Sequence, residues 1–239
     1  TDNSAERAKH NLDKFRERQV DGLVIATASR QDELVADCRA EATPFVLTVR
    51  STTDIGVSSV VSDEIIGGKM IISHLAQLGH KDIAYVAGPQ FLSTGFERYQ
   101  GYVQGLAQVG LEAKPDLFAE GEAFTEEAGR RAASKILATR QKFTAIVAGN
   151  DLMALGCYDE LMAKGLKCPE DVSVVGFDDM PFAGHFNPPL TTVHTPLLDV
   201  GAEAARMLLE QIEEPDVPPR NQKLRPELVV RASTGLAYG

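Results

Sequence analysis

The chain has 239 residues, 44% hydrophobic and 24% charged, without any Gly-, Pro- or Gln-rich tract. That is a globular composition with enough core to need no disulfide or metal, and it excludes fibres, stapled mini-proteins and disordered chains. Twenty-four Lys and Arg against thirty-four Asp and Glu give a net charge of −10, so this chain alone lacks the gathered positive charge that nucleic-acid binding needs.

From Ser4 to Arg18, apolar Ala5, Ala8, Leu12 and Phe15 recur at helical steps among charged residues, which predicts an amphipathic helix. Val20 to Ala26 is a short β-branched run, Leu34, Val35 and Cys38 return to helical spacing, and Pro44 to Val49 is apolar again. A strand over 58–61, a helix over 63–78 stopped by Gly79 and a strand over 83–87 closed by Gly88-Pro89 follow. Further along, the pattern predicts a helix over 96–109, a short strand at Leu117-Phe118 and a helix capped by Thr125. Next come a strand over 143–148, a helix from Asn150 or Asp151 to about Lys164 and a strand over 172–177. Pro181 to Leu190 breaks the rhythm; beyond it lie a strand over 191–194, a helix from Pro196 to about Leu209, a proline-marked loop and a last strand over 227–231. Such βαβα alternation with continuous apolar strands defines an α/β fold of parallel sheets covered by helices.

Cys38, Cys157 and Cys168 lack zinc-ligand spacing and read as reduced core thiols. No run approaches the roughly 20 apolar residues of a membrane span. The polar start Thr1-Asp2-Asn3-Ser4 is unlike a signal peptide, so a cytoplasmic protein without membrane contact is expected, with the reservation that Thr1 is not methionine.

Open parallel sheets bind ligands beyond the carboxyl ends of their strands. That rule nominates Thr27, Val49 with Arg50, the stretch Leu92 to Arg98, Asn150, Asp178 and Thr195, a set of hydroxyls, an amide, a carboxylate and guanidinium groups suited to a small polar molecule. Each has an ordinary alternative: Asp178 as a solvated or capping residue, Asn150 as an N-cap, Arg98 as an exposed helix residue. Phe124 is either a stacking platform or core packing. No nucleophile elbow, phosphate loop, zinc-protease motif or dinucleotide fingerprint occurs, and the five histidines are scattered, so no enzyme, cofactor or metal site is expected.

Several segments together resemble the effector-binding region of the lactose-repressor (LacI/GalR) family of bacterial transcription regulators. They are Val20-Asp21-Gly22-Leu23-Val24, Gly79-His80-Lys81-Asp82-Ile83-Ala84 running into Ala87-Gly88-Pro89, and Asn150-Asp151-Leu152-Met153-Ala154-Leu155-Gly156. Pro169 to Asp179, Pro188 to Val193, and Pro226 to Arg231 with Ser233-Thr234 complete the match over almost the whole chain.

The resemblance implies two Rossmann-like lobes joined by three crossovers, an effector in the cleft between them, and a homodimer that reaches operator DNA through a helix-turn-helix domain absent from this chain. The first lobe would be 1–62 plus 191–222, and the second 63–190 plus 223–239. Carried over residue by residue, Thr94, Arg98, Phe124, Asn150, Asp178, Thr195 and Leu197 match ligand-lining positions, with Arg50 at the strand end of the first lobe. A sugar or sugar acid is the implied effector. Val49-Arg50 stands where many members have Asp-Arg, and Leu92 where purine-binding members have an arginine. The first strand and helix of the first lobe are also expected to lie before Thr1. A periplasmic sugar-binding transport receptor shares this architecture and is the alternative function; a hydrolase or dehydrogenase on the same fold type is a third.

Overall fold

The computed structural model describes residues 5–237, so Ser4 and the remaining terminal residues named above lie outside the described set. By internal contacts the chain divides into two units. One runs up to Ser62 and adds Phe91–Ser93 and Pro196–Leu224; the other comprises Asp63–Gln90, Thr94–Thr195 and the chain from Arg225 on.

The first unit is built on β1 (Leu23–Ile25), β2 (Phe45–Thr48), β3 (Ser59–Ser62) and β9 (Asn221–Leu224), all parallel in that order. Strand alternation sends neighbouring β2 side chains to opposite faces. Phe45 and Leu47 pack with Leu12 of α1 (Ala5–Glu17) and with Val35 and Cys38 of α2 (Glu33–Ala40). Val46, between them, packs with Val200, Ala204 and Met207 of α7 (Leu197–Glu213).

The second unit holds a six-stranded sheet in the order β10-β8-β7-β6-β4-β5. Its strands are β4 (Ile83–Ala87), β5 (Phe118–Glu120), β6 (Ala145–Ala148), β7 (Ser173–Asp178), β8 (Thr191–His194) and β10 (Glu227–Val229), and only β10 is antiparallel to its neighbour. Ile71, Ile72 and Leu75 of α3 (Glu64–Gln77) and Tyr102 and Leu106 of α4 (Ser93–Gln108) form one core. Ala132, Ala133 and Ile136 of α5 (Glu126–Ala138) and Met153, Ala154 and Cys157 of α6 (Asp151–Ala163) form another. The chain leaves β4 through α4 to reach β5 on one side, then returns through α5 to β6 on the other. The loops after β4 and β6 therefore diverge at adjacent strand ends, the position where such sheets form ligand crevices.

Two boundaries differ from the sequence expectation. The resemblance places Thr191–His194 in the first lobe, but β8 is hydrogen-bonded between β7 and β10 and belongs to the second unit. The Pro- and Gly-rich break before it is an excursion within that unit, anchored by buried Ala183 and Leu190. The proline-marked loop leads into β9, a strand absent from the expectation because Asn221, Gln222 and Lys223 carry no apolar alternation; it ends at Leu224, two residues past the expected boundary at 222.

All three cysteines are free thiols, with Cys38 and Cys157 buried and Cys168 half-buried. Among the described residues no helix is long and apolar enough to cross a membrane.

Candidate functional site

At the divergence of β4 and β6, the Arg98 side chain, one turn into α4 and only 5% exposed, is held by three acceptors. Its Nε donates to Glu64 Oε2 at 2.6 Å, Nη1 to the Gly149 carbonyl at 2.7 Å, and Nη2 to Asp178 Oδ1 at 2.7 Å. The guanidinium carbon lies 4.0 Å from the centre of the Phe177 ring and 5.6 Å from that of Phe124, so a cation lies beside two aromatic rings. Burial works against the Arg98 charge, but Asp178 and Glu64 more than compensate and raise its pKa above the ordinary arginine value.

Each partner is placed by local structure. Glu64 opens α3 directly after Asp63, whose carboxylate caps the helix by accepting from Ile66 N–H at 3.1 Å. Burial pushes the Glu64 carboxyl up to about 7, against the charge and hydrogen bond of Arg98. Asp178 ends β7 with φ of +103° and is followed by Asp179 at +53°, two consecutive non-glycine residues in backbone conformations that side chains usually avoid. Asp151 holds that turn. Its Oδ2 accepts from Met180 N–H at 2.7 Å and its Oδ1 from the Thr192 hydroxyl at 2.6 Å. Burial pushes the Asp151 carboxyl up to about 7, with those two donors pulling it down. The carboxylate fits only because residue 176 is glycine: a Cβ there would stand 2.3 Å from Asp151 Oδ1.

Phe124, in the loop before α5, packs against Gly88 just past β4; a Cβ at 88 would meet the ring at 2.1 Å. Asn150 is the N-cap of α6, its Oδ1 accepting from Met153 N–H at 2.9 Å. The capping role weighed from sequence is therefore real, and the amide NH2 is what the residue has left to offer. Thr94, four residues before Arg98, and Thr195, just past β8, are both buried with hydroxyl oxygens that find no hydrogen-bond partner among the described residues.

Arg98, Asp178 and Phe124 thus come together as nominated, with Asn150 next in chain to the Gly149 carbonyl. Arg50 and Leu197 belong to the first unit, Arg50 after β2 and Leu197 at the start of α7 with 46% exposure. Leu92, also in that unit, is buried at 2%. Glu64 and Asp151 were not nominated. An acidic residue at a helix start reads as a complement to the helix dipole, and nothing local marks either carboxyl as buried. Among the described residues no group of His, Cys, Asp and Glu is arranged to hold a metal ion.

Two carboxylates, one guanidinium and an aromatic ring gather at the strand switch point, groups of the kind that bind small polar molecules. Residues 72–234 match the periplasmic binding protein-like domain family. The transcriptional repressor PurR of Pasteurella multocida (strain Pm70) is 35% identical over 236 residues, 98% of this chain and 70% of the relative. The transcriptional regulator CelR in its cellobiose complex aligns with a TM-score of 0.90 at 34% identity, covering 96% of this chain and 71% of that one. A LacI family transcriptional regulator from Enterococcus faecium with bound ribose aligns at 0.83 and 26% identity, covering 94% and 84%. Fold and site together define a periplasmic binding protein-like sensing domain. These relatives are transcriptional regulators, not enzymes or transport receptors. The chain belongs to the LacI family and is the effector-binding domain of a transcriptional repressor.

Proposed function

We propose that the effector is a sugar or sugar derivative bound at Arg98, Asp178, Asn150, Thr94 and Phe124, with Thr195, Leu197 and Arg50 contributing. Binding shifts the population between conformations of different operator affinity, by the difference in effector affinity between them. The regulator works in the cytoplasm as a homodimer, its operator contacts made by a helix-turn-helix domain. The relatives solved with cellobiose and with ribose support a sugar effector.

The Arg98–Asp178 pair carries this reading. Three of the five guanidinium N–H groups are engaged, which leaves two donors, and Asp178, with 24% of its side chain exposed, keeps its second oxygen for a hydroxyl. Phe124 supplies an apolar face beside them.

The test is calorimetric titration and thermal unfolding against cellobiose, ribose and a wider panel of sugars. A bound sugar at 100 times its Kd adds about 2.7 kcal/mol of stability. In Asp178→Asn, which keeps an acceptor for Arg98 and tolerates positive φ, affinity should fall at least about tenfold through loss of a charge-assisted hydrogen bond. Affinity unchanged within about twofold would remove Asp178 from the site.

A further inference from the structure

Arg98 invites the expectation of an anionic effector, such as a sugar acid, because a guanidinium pairs bidentately with carboxylates and phosphates. The surroundings argue otherwise. Glu64 takes Nε at 2.6 Å, the Gly149 carbonyl Nη1 at 2.7 Å and Asp178 Nη2 at 2.7 Å, so every guanidinium nitrogen already donates to the protein and two of the three acceptors are carboxylates. Glu64 is 3% exposed and cannot swing into solvent to release it. The cluster carries one more carboxylate than guanidinium, and Asp151 adds a further acidic group close enough to feel both Asp178 and Arg98. The guanidinium keeps one N–H on each of Nη1 and Nη2, but its charge is already met by two carboxylates, so the cluster has no spare positive charge for a ligand.

We propose that Glu64 is the charge-selecting residue of this site: by neutralising Arg98 from behind, it confines the effector to uncharged, hydroxyl-bearing molecules and excludes carboxylated or phosphorylated ones. This rests on the effector reading above and deepens it. Glu64 acts through Arg98 and needs no contact with the ligand, so it is a positioning residue. The ionisable groups facing it are Arg98 and Glu97 from α4, Asp178 from β7 and Tyr85 from β4.

The experiment compares matched pairs, ribose with ribonate and cellobiose with cellobionate, by calorimetry at pH 8 on the wild type and on Glu64→Gln. The glutamine keeps an oxygen acceptor for Arg98 Nε while removing one negative charge. The wild type should prefer the neutral member of any pair it binds, and Glu64→Gln should shrink that preference by about tenfold or more, the effect of a unit charge several ångströms away at an effective dielectric near 20. An acid bound as tightly as its neutral partner by the wild type, or a preference unchanged within about twofold in the variant, overturns the proposal.

Inorganic sulfate separates this outcome from failure of the sugar reading. If neither pair binds, those sugars are wrong, yet a sulfate-dependent rise in melting temperature that is larger in Glu64→Gln than in the wild type still supports the role of Glu64, and equal rises refute it. Lowering pH removes the same charge without substituting Glu64, which covers a variant that does not fold; because Asp151 is also pushed up to about 7, the comparison is made on Asp151→Asn. Burial pushes Glu64 up to about 7, so the response of Asp151→Asn to sulfate should be greater at pH 6 than at pH 8; a response independent of pH counts against the proposal.

Discussion

In the six-stranded sheet, the carboxyl ends of β6 and β7 meet charge: the Gly149 carbonyl and Asp178 hold Arg98, and Asp151 anchors the turn after β7 through two short hydrogen bonds. In the four-stranded sheet, β2 and β3 end on Thr48 and Ser62, buried hydroxyls whose oxygens find no partner among the described residues. The same strand-end position therefore carries two kinds of polar group. One is locked in a network and expensive to disturb, because each buried charge depends on the others. The other is desolvated without return and cheap to replace.

The sharpest way to break this contrast is Arg98→Leu, which leaves Glu64 and Asp178 without their cation. Loss of one partner of a buried ion pair costs about 3–5 kcal/mol, readable as a lowered urea midpoint; a loss below about 1 kcal/mol would mean the cluster does not hold the strand ends together.

Next is the pH dependence of Asp151. The folded protein keeps this proton to about 7, whereas the ordinary value is 3.8. The folded state binds more protons across that window, so stability falls as pH rises from about 4 to 7 and is level above it. Glu64 contributes in the same direction, from 4.5 to about 7. Asp151→Asn should flatten the slope measured by unfolding at pH 5, 6, 7 and 8, at a cost of about 1–3 kcal/mol for the weakened turn; an unchanged slope would show that other groups set it.

The smallest effect has the opposite sign. Thr48→Val replaces an unpartnered hydroxyl by a methyl of similar shape and should raise stability by up to about 1 kcal/mol. A destabilisation of that size would show that the hydroxyl is satisfied after all, and would erase the difference between the end of β2 and the ends of β6 and β7.

Much of this architecture is legible in the chain itself. The apolar run 83–87 is β4 to the residue, Gly79 and Gly165 follow α3 and α6 at positive φ, and Thr125 caps α5 as expected. These features depend on neighbours a few residues away, where periodicity and capping speak clearly. The strand-end rule likewise nominates Arg98 and Asp178, which the structure pairs at 2.7 Å. It could not find Glu64, because the reason that carboxyl is buried lies 34 residues away on another helix. Nor could it find β9, whose Asn-Gln-Lys sequence is held in the sheet by parallel pairing with β3, including the Ser59 hydroxyl bond to Asn221 Oδ1 at 2.8 Å. Long-range electrostatics and edge pairing leave no period in a sequence.

The seating of Asp151 against Gly176 has a consequence for how this domain can change. A carboxylate oxygen of Asp151 and Leu190 Cδ2 lie 2.3 and 2.8 Å from where a Cβ at 176 would stand, so positions 151 and 176 are not independent. In a library of variants, alanine or serine at 176 should survive chiefly where residue 151 has been shortened, and such pairs would release the loop after β7 from its anchor. A substitution at 176 alone must displace both the Asp151 carboxylate and Leu190 Cδ2, 2.8 Å from such a Cβ, whereas the double change leaves only the leucine to move and opens a route to a differently shaped loop after β7.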